Sequence, residues 1–213
     1  SRNDRASWAV ELGMAKTSHP TRDRLIQTMA ELLDGSDPEH ITAEQVLTAS
    51  GVSKGSLYHH FEDFEDLLEA ALVTRFSVNV DANIDGLALI LATVDSREGL
   101  IAALKELTAQ SQAQSRSKFR LERARAAGLT FSSPRFHEAL GAEQQRLTDA
   151  FTDLFSEAQN KGWMSKDVDA RAAAVFVQAY TVGRVVDDIA PEKVDPDAWI
   201  SLIMNVVDKA ILN

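Results

Sequence analysis

The stretch at 51–61, GVSKGSLYHHF, concentrates side chains that can hydrogen-bond to a partner molecule. Lys54 carries the positive charge that phosphate oxygens attract, and Tyr58 can donate a hydrogen bond from its phenol. His59 and His60 can bond either to a base edge or to a phosphate. These residue types indicate recognition of a nucleic acid rather than bond-breaking chemistry.

The spacing of these residues predicts a short helix with one buried and one exposed side. At about 100° per residue, Leu57 and Phe61 lie close together and face inward. The other side carries small and polar residues: Gly55, Ser56 and His59 at its centre, with Tyr58 and His60 beside them. A glycine inside a helix costs about 1 kcal/mol relative to alanine. We therefore expect Gly55 to permit the close approach of a phosphate or a base edge.

The two histidines also have other interpretations. Either one can be a solvated surface residue, and His60 can instead cap or pack beside the following helix. A metal site is not expected, because adjacent helical residues project about 100° apart. In addition, neither a cysteine nor a third ligand lies nearby in the sequence.

Capping signals mark the elements that must position this helix. TAEQ at 42–45 is a capping box, in which Thr42 caps a helix and Gln45 lies three residues on. Gly51 can take the left-handed conformation that ends that helix, and Ser53 caps the next one. Hydrophobic staples flank the two caps: Ile41 with Val46, and Val52 with Leu57. The pattern predicts a helix-turn-helix; the alternative is an ordinary helical hairpin in a core.

Helical spacing of apolar residues continues along almost the whole chain and predicts an all-α fold. One helix precedes the capped pair and runs from near Thr21 to the turn at 34–38. A fourth helix, capped by Asp63, runs to about Asn79 or beyond. Five more helices are predicted later in the chain: 97–113, 115–127, 134–160, 168–189 and 196–212.

Composition excludes several other functions. The chain has 213 residues and no cysteine, which rules out disulfides, thiolate metal sites and cysteine nucleophiles. No apolar run approaches the roughly 20 residues that span a bilayer, and no signal peptide is evident. We therefore expect a cytoplasmic protein with no membrane partner. A phosphate-binding glycine loop, a metal-ligand quartet and a nucleophile elbow are all missing, so we expect neither an enzyme nor a cofactor.

The segment 41–72, ITAEQVLTASGVSKGSLYHHFEDFEDLLEAAL, closely resembles the DNA-binding signature of TetR-type (TetR/AcrR-like) transcriptional regulators. The strong match covers roughly residues 21–72. Beyond it, the all-helical plan and the segment 160–174 are similar to the C-terminal half of the family. The resemblance implies a set of DNA-facing residues: Thr42, Ser53, Lys54, Gly55, Ser56, Tyr58, His59 and His60.

The same resemblance implies a domain organisation and a mechanism. It places a flexible N-terminal arm at 1–20, a helix-turn-helix DNA-binding domain at 21–66, and a ligand-binding and dimerisation domain at 67–213. The protein would be a homodimeric repressor that binds double-stranded DNA at a palindromic operator. A small-molecule effector in the C-terminal half would change the separation of the two recognition helices and release the DNA. The arm could add DNA contacts through Arg2, Arg5 and Lys16; the alternative is a disordered tail without such contacts.

Departures from the family pattern leave a second hypothesis open. Phe64 stands where the family often has a phosphate-gripping lysine, Glu44 where a basic residue is common, and Leu47 where a small residue is common. The net charge of the chain is −10, and residues 21–75 hold four basic against eleven acidic residues. Because salt screens charges beyond about 8 Å, the local surface matters more than the total. The alternative is a helical ligand-binding protein of the same fold that has lost operator binding.

The C-terminal half offers signals for assembly. The segment near 168–189 is apolar nearly all round, which predicts burial on more than one side. Together with 134–160 it predicts a four-helix interface between two copies of the chain. The alternative is that the chain's own core covers these faces.

Two features of this half are candidates for an effector site. Arg116, Arg120 and Arg123 share one helix face and indicate either an anionic effector site or a solvated face paired with the chain's acids. Five aromatic residues can line a pocket or simply belong to the core: Phe119, Phe131, Trp163, Phe176 and Tyr180. The sequence does not identify the effector.

Overall fold

The structure, a computed structural model, describes residues 19–212, and the remainder of the predicted arm lies outside them. Throughout this range the chain is built of helices and turns, without a strand, which confirms the all-α prediction. The chain divides into two compact units, Ser1–Thr74 and Arg75–Asn213. Every helix within 19–212 is too short or too polar to serve as a membrane span.

Within residues 19–74, unit 1 contains three complete helices and the beginning of a fourth. They are α1 (Pro20–Gly35), α2 (Ala43–Ser50), α3 (Lys54–His60) and α4 (Phe64–Thr93). Apolar side chains from all four helices form one core, which comprises Leu25, Ile26, Met29, Ala30, Leu33, Ile41, Val46, Leu57, Phe61, Leu67 and Ala71. Each predicted staple has at least one member buried here, so the two capped helices are fixed on the same core.

Unit 2 contains the rest of α4 and six further helices. They are α5 (Arg97–Gln112), α6 (Ser117–Leu129), α7 (Pro134–Asn160), α8 (Ala170–Gly183), the single turn α9 (Val185–Asp188) and α10 (Pro196–Val206). A π-helical turn, Val207–Ile211, follows α10. One side of α7 supplies much of the core: Leu147, Phe151, Leu154, Phe155 and Ala158.

The helix predicted at 168–189 is interrupted. Helix α8 ends at Gly183, and Arg184 separates it from the single turn of α9. The interruption accompanies a buried ion pair, because α9 carries Asp188, which bonds to Arg120 of α6. Apolar periodicity predicted the helical content of this segment but not the break, since the break serves a charged contact.

The Arg120–Asp188 pair lies in the interior of unit 2. The two side chains are 1% and 0% exposed, and the guanidinium donates to both carboxylate oxygens at 2.7 and 2.6 Å. Arg120 also donates to the carbonyl oxygens of Ser111 and Ala113. Hydrogen bonds from Arg120 hold the pKa of the Asp188 carboxyl below its usual value. The pair therefore stabilises the fold above about pH 4 and loses its effect as pH falls through the lowered pKa.

Replacing Asp188→Asn should strongly destabilise the protein, because it leaves the Arg120 guanidinium buried without its counter-charge. The expected loss is about 3 kcal/mol in the free energy of unfolding at neutral pH. The measurement is urea denaturation at fixed protein concentration.

An exposed ion pair in the same unit provides the control. Arg146 bonds to Asp81 at 2.6 Å with both side chains about half exposed. Its variant Arg146→Gln should lower the free energy of unfolding far less than Asp188→Asn does, because solvent screens the exposed pair. Equal losses for the two variants would contradict the special role of the buried pair.

Candidate nucleic-acid interface

Helix α2 begins with the predicted capping box. The Thr42 hydroxyl accepts a hydrogen bond from the Gln45 amide at 3.3 Å, and the Thr42 amide donates to the Gln45 side-chain oxygen at 2.7 Å. These bonds satisfy donors that a helix N-terminus would otherwise leave unpaired. Thr42 therefore has a structural role in the fold, in addition to its predicted position at the DNA-facing surface.

The turn between α2 and α3 depends on a glycine. Gly51 has φ 67° and ψ 17°, the left-handed conformation, and its amide donates to the Leu47 carbonyl at 3.0 Å. A side chain at this position would strain the backbone. The Val52 amide donates to the Ser50 hydroxyl at 3.3 Å, which holds the chain as it leaves the turn. The predicted helix-turn-helix is confirmed.

Helix α3 is fixed at both ends and along its inner side. The Ser53 hydroxyl accepts from the Ser56 amide at 3.2 Å and caps the helix. Leu57 and Phe61 are buried in the core of unit 1, as predicted. The Arg22 guanidinium lies 5.0 Å from the centre of the Phe61 ring. The rotation of α3 about its axis is therefore set by buried contacts.

The opposite side of α3 is open to solvent. Lys54, Gly55 and His59 are exposed, and Tyr58 is 46% exposed. Ser56 is partly buried, and its hydroxyl lies 2.9 Å from that of Ser53. One surface thus combines hydrogen-bond donors, an aromatic ring and a positive charge, and it has no side chain at Gly55. This surface can contact a phosphate backbone and base edges.

Gly55 is not required by packing within the protein. A Cβ at this position would meet nothing within 4 Å, and the φ angle of Gly55 is negative. Alanine would thus fit and would favour the helix by about 1 kcal/mol. The cost of glycine in this helix is therefore consistent with the close approach of an external partner.

The histidines form a cluster that extends beyond α3. The ring centre of His60 lies 5.1 Å from that of His59 and 5.8 Å from that of His19. Desolvation lowers the pKa of His60, and the neighbouring His59, His19 and Arg22 lower it further. Within 19–212, no group of three potential metal ligands is arranged to hold a metal ion. In the free protein these neighbours therefore favour the neutral form of the His60 ring.

Sequence reasoning missed His19 and Arg22 as neighbours of this surface. His19 precedes Pro20, the first residue of α1, and was counted with the N-terminal arm. Proline is common at the first position of a helix, so this signal could have placed His19 at the α1 terminus. The proposed arm contacts Arg2, Arg5 and Lys16 lie outside the described residues.

The residues that depart from the family pattern occupy ordinary structural positions. Phe64 and Leu47 are partly buried against the core of unit 1, and Glu44 is exposed. Lys54 is the one lysine or arginine on α2 and α3. The surface therefore offers hydrogen bonds and little positive charge.

The N-terminal segment matches a known family. Residues 25–71, which include all of α2 and α3, match the model of the bacterial regulatory proteins of the tetR family. No curated protein is significantly similar to the chain in sequence.

Solved structures share the fold over most of the chain. A TetR/AcrR-family transcriptional regulator from Thermobifida fusca is 18% identical, with a TM-score of 0.61, and the alignment covers 90% of this chain and 98% of that one. GusR of Salmonella enterica is 22% identical, with a TM-score of 0.60 and coverage of 87% and 94%. A Saccharomonospora viridis protein in complex with choline is 15% identical, with a TM-score of 0.64 and coverage of 91% and 98%. At these identities the likeness shows the shared fold.

An all-helical chain with a capped helix-turn-helix and this family match resembles the DNA-binding regulators of the TetR type. The matched family consists of regulatory proteins, not enzymes.

Replacing Gly55→Ala should change protein stability and DNA affinity in opposite directions. The variant should be more stable by about 0.5 to 1 kcal/mol, because alanine favours a helix. It should bind duplex DNA more weakly, because a methyl group intrudes where a partner approaches. Denaturation and a fluorescence titration with labelled duplex measure the two effects.

The matched control is Gly86→Ala, a helical glycine of unit 2 whose Cβ would also meet nothing within 4 Å. This variant should gain similar stability with unchanged DNA affinity. If Gly55→Ala binds DNA with unchanged affinity, the idea that DNA approaches the α3 backbone closely at Gly55 is wrong.

Duplex binding should be coupled to proton uptake at His60. The pKa of His60 lies below 6.5 in the free protein, so the ring is neutral at pH 8. A nearby phosphate would raise that pKa, so affinity should increase as pH falls from about 8 to 6 at constant salt. His60→Gln should flatten this dependence, whereas His137→Gln in α7 should preserve it. A wild-type affinity that is independent of pH would count against a phosphate near His60.

Proposed function

We propose that the protein is a homodimeric transcriptional repressor that acts in the cytoplasm and binds a palindromic operator in double-stranded DNA. A small-molecule effector bound in unit 2 would release it. The observation that carries this proposal is the exposed side of α3, where Lys54, Tyr58 and His59 face solvent while Leu57 and Phe61 anchor the helix. The predicted DNA-facing set remains part of the proposal: Thr42, Ser53, Lys54, Gly55, Ser56, Tyr58, His59 and His60.

Charge supports a particular mode of DNA binding. Residues 21–75 hold four basic and eleven acidic residues, so few side chains are available to neutralise phosphates. The exposed hydrogen-bonding groups and the α3 N-terminus would then supply much of the contact. In this mode, binding depends more on direct readout of the DNA bases than on general attraction to the DNA phosphate backbone.

An exposed apolar face on α8 supports dimerisation. Ala173, Ala174 and Val177 are buried, whereas five other apolar residues of α8 are exposed. These five residues are mostly small: Ala172, Val175, Phe176, Ala179 and Gly183. A second copy of the same helix can cover such a face at close range. Two recognition helices in one dimer would enter successive major grooves about one helical turn apart.

Helix α4 supports communication between the effector and the DNA-binding surface. Its first part supplies Leu67 and Ala71 to the core of unit 1. Its later part supplies Asn83 and Leu87 to a cavity of unit 2. A ligand that displaces α4 at the cavity would therefore act on the helix that also supports α3. The related fold from Saccharomonospora viridis holds a small molecule, choline, which supports a ligand-responsive role.

The experiment that tests DNA binding combines fragment selection with substitution. The purified chain selects genomic fragments, including its own upstream DNA, and the best duplex is used for titrations. Lys54→Ala and Tyr58→Ala should each weaken binding by about tenfold without unfolding the protein. Lys118→Ala, an exposed lysine of α6, should leave affinity unchanged.

The salt dependence of the same titrations measures the number of phosphate contacts. Each contact contributes about 0.9 to the slope of log affinity against log salt. Lys54→Ala removes one contact per subunit, so the slope of a dimer should decrease by about 1.8. A steep wild-type slope, like that of a heavily basic protein, would contradict the proposed mode.

These titrations also decide between the repressor and the second hypothesis. The acidity of residues 21–75 and the partly buried Phe64, in place of a lysine, favour a ligand-binding protein that has lost operator binding. If no duplex is selected or retained across a range of salt, the second hypothesis is correct and the proposed function is wrong.

Substituting a charge on the exposed face of α8 should dissociate the dimer. Val175 is 50% exposed, and Val175→Glu would place a carboxylate in the apolar contact. Sedimentation should show the wild type near twice the 23.3 kDa chain mass and the variant near one chain mass. Leu89→Glu, at a position 63% exposed on α4, should remain dimeric. A dimeric Val175→Glu protein would place the interface elsewhere.

A further inference from the structure

Unit 2 contains a cavity of about 70 Å³ between helices α4 to α8. Most of its wall is apolar and comes from Leu87, Leu104, Leu107, Leu147, Phe151 and Val177. Of the five aromatic residues considered from the sequence, Tyr180 lines this cavity, whereas Phe131 is 98% exposed. An apolar cavity with a few polar groups is the usual form of a small-molecule site.

One charged residue lines the cavity within the described part of the chain, and it is Arg123 of α6. One of its terminal nitrogens donates to the Gln144 side-chain oxygen at 2.9 Å, and its guanidinium lies 5.3 Å from the centre of the Phe76 ring. Both partners are uncharged. Desolvation lowers the pKa of Arg123, without an opposing contribution from an acid.

Arg120 is paired with a carboxylate, whereas Arg123 has no such counter-charge among its contacts. Arg120 lies one helical turn away on α6, and its buried guanidinium is paired with Asp188 and two carbonyl oxygens. The chain has 32 acidic residues, so acids are abundant. Arg123 is partly buried, and charges withdrawn from water in proteins are normally paired. An anion from outside the chain would supply the partner that Arg123 lacks.

Neutral groups hold Arg123 in place without cancelling its charge. The side-chain amide nitrogen of Gln144 donates to the Gln178 side-chain oxygen at 2.6 Å. The side-chain amide nitrogen of Gln178 donates to the Thr148 hydroxyl at 3.2 Å. Arg123 therefore lies at the end of a connected row of side chains across α7 and α8. Fixing a guanidinium in this way prepares it for a planar, two-oxygen acceptor.

The Thr108 and Tyr180 hydroxyls, 3.0 Å apart, also line the cavity. Burial raises the pKa of Tyr180, so its phenol stays protonated at neutral pH and can donate a hydrogen bond. The wall thus offers one cation, hydroxyl groups and an apolar surface.

We propose that this cavity binds a small organic carboxylate, whose carboxylate pairs with the Arg123 guanidinium and whose short apolar body contacts the leucines. A volume of about 70 Å³ accommodates a short chain. A single ring would extend partly out of the cavity, since a cavity of about 150 Å³ holds benzene. Binding depends on unit 2 alone, whereas the role of the ligand as an effector rests on the proposed function.

Calorimetric titration of the full chain without DNA tests the site. The probes are butyrate and benzoate, with butyramide and benzamide as uncharged counterparts, all at one ionic strength. A carboxylate should bind and its amide should not. Arg123→Gln should reduce the affinity by at least about tenfold. Arg116→Gln, which removes an exposed arginine just before α6, should bind like the wild type.

Arg123→Lys keeps the charge but loses the planar fork, so it should bind more weakly and still prefer the carboxylate. This variant and the wild-type comparison of acid with amide test the site even if Arg123→Gln fails to fold. Equal binding of acid and amide, undiminished binding to Arg123→Gln, or no binding of either carboxylate at millimolar concentration would overturn the proposal.

Duplex titrations with the bound carboxylate separate this proposal from the proposed function. A protein that binds carboxylate through Arg123 but keeps its duplex would refute release by this effector and support the site. A protein that binds duplex but no carboxylate would refute the site alone.

Discussion

The left-handed turn at Gly51 is the constraint on which the DNA-binding surface depends. With φ at 67°, it ends α2 after two turns and starts α3 within three residues. The caps at Thr42 and Ser53 satisfy the helix termini on either side of it. Because Leu57 is fully buried, α3 cannot rotate without exposing a core residue. The polar side of α3 therefore faces solvent as a direct consequence of the turn and the core.

The sequence was sufficient to predict this region because each determining interaction is local. Capping boxes and staples join residues three to five positions apart, and a left-handed glycine ends the preceding helix. The exposed side of α3 follows from the same periodicity once Leu57 and Phe61 are known to be inside. The contact of His19 with His60 could not be predicted this way, because it joins residues some forty positions apart.

Unit 2 was less predictable because its charges interact over long distances in the sequence. The three arginines that the sequence predicts on one helix face have different surroundings in the structure. Arg116 is exposed against Phe119, Arg120 is buried with Asp188, and Arg123 lines a cavity with neutral partners. Which arginine is paired depends on the break between α8 and α9, and apolar periodicity carries no information about that break.

The most direct test of the central claim is the structure of the full chain bound to its selected duplex. The account predicts that α3 lies in the major groove, with Lys54 and Tyr58 at the phosphates and His59 within hydrogen-bond distance of a base edge or a phosphate. A complex in which the exposed side of α3 faces solvent or another protein chain, while the duplex is held elsewhere, would contradict the account.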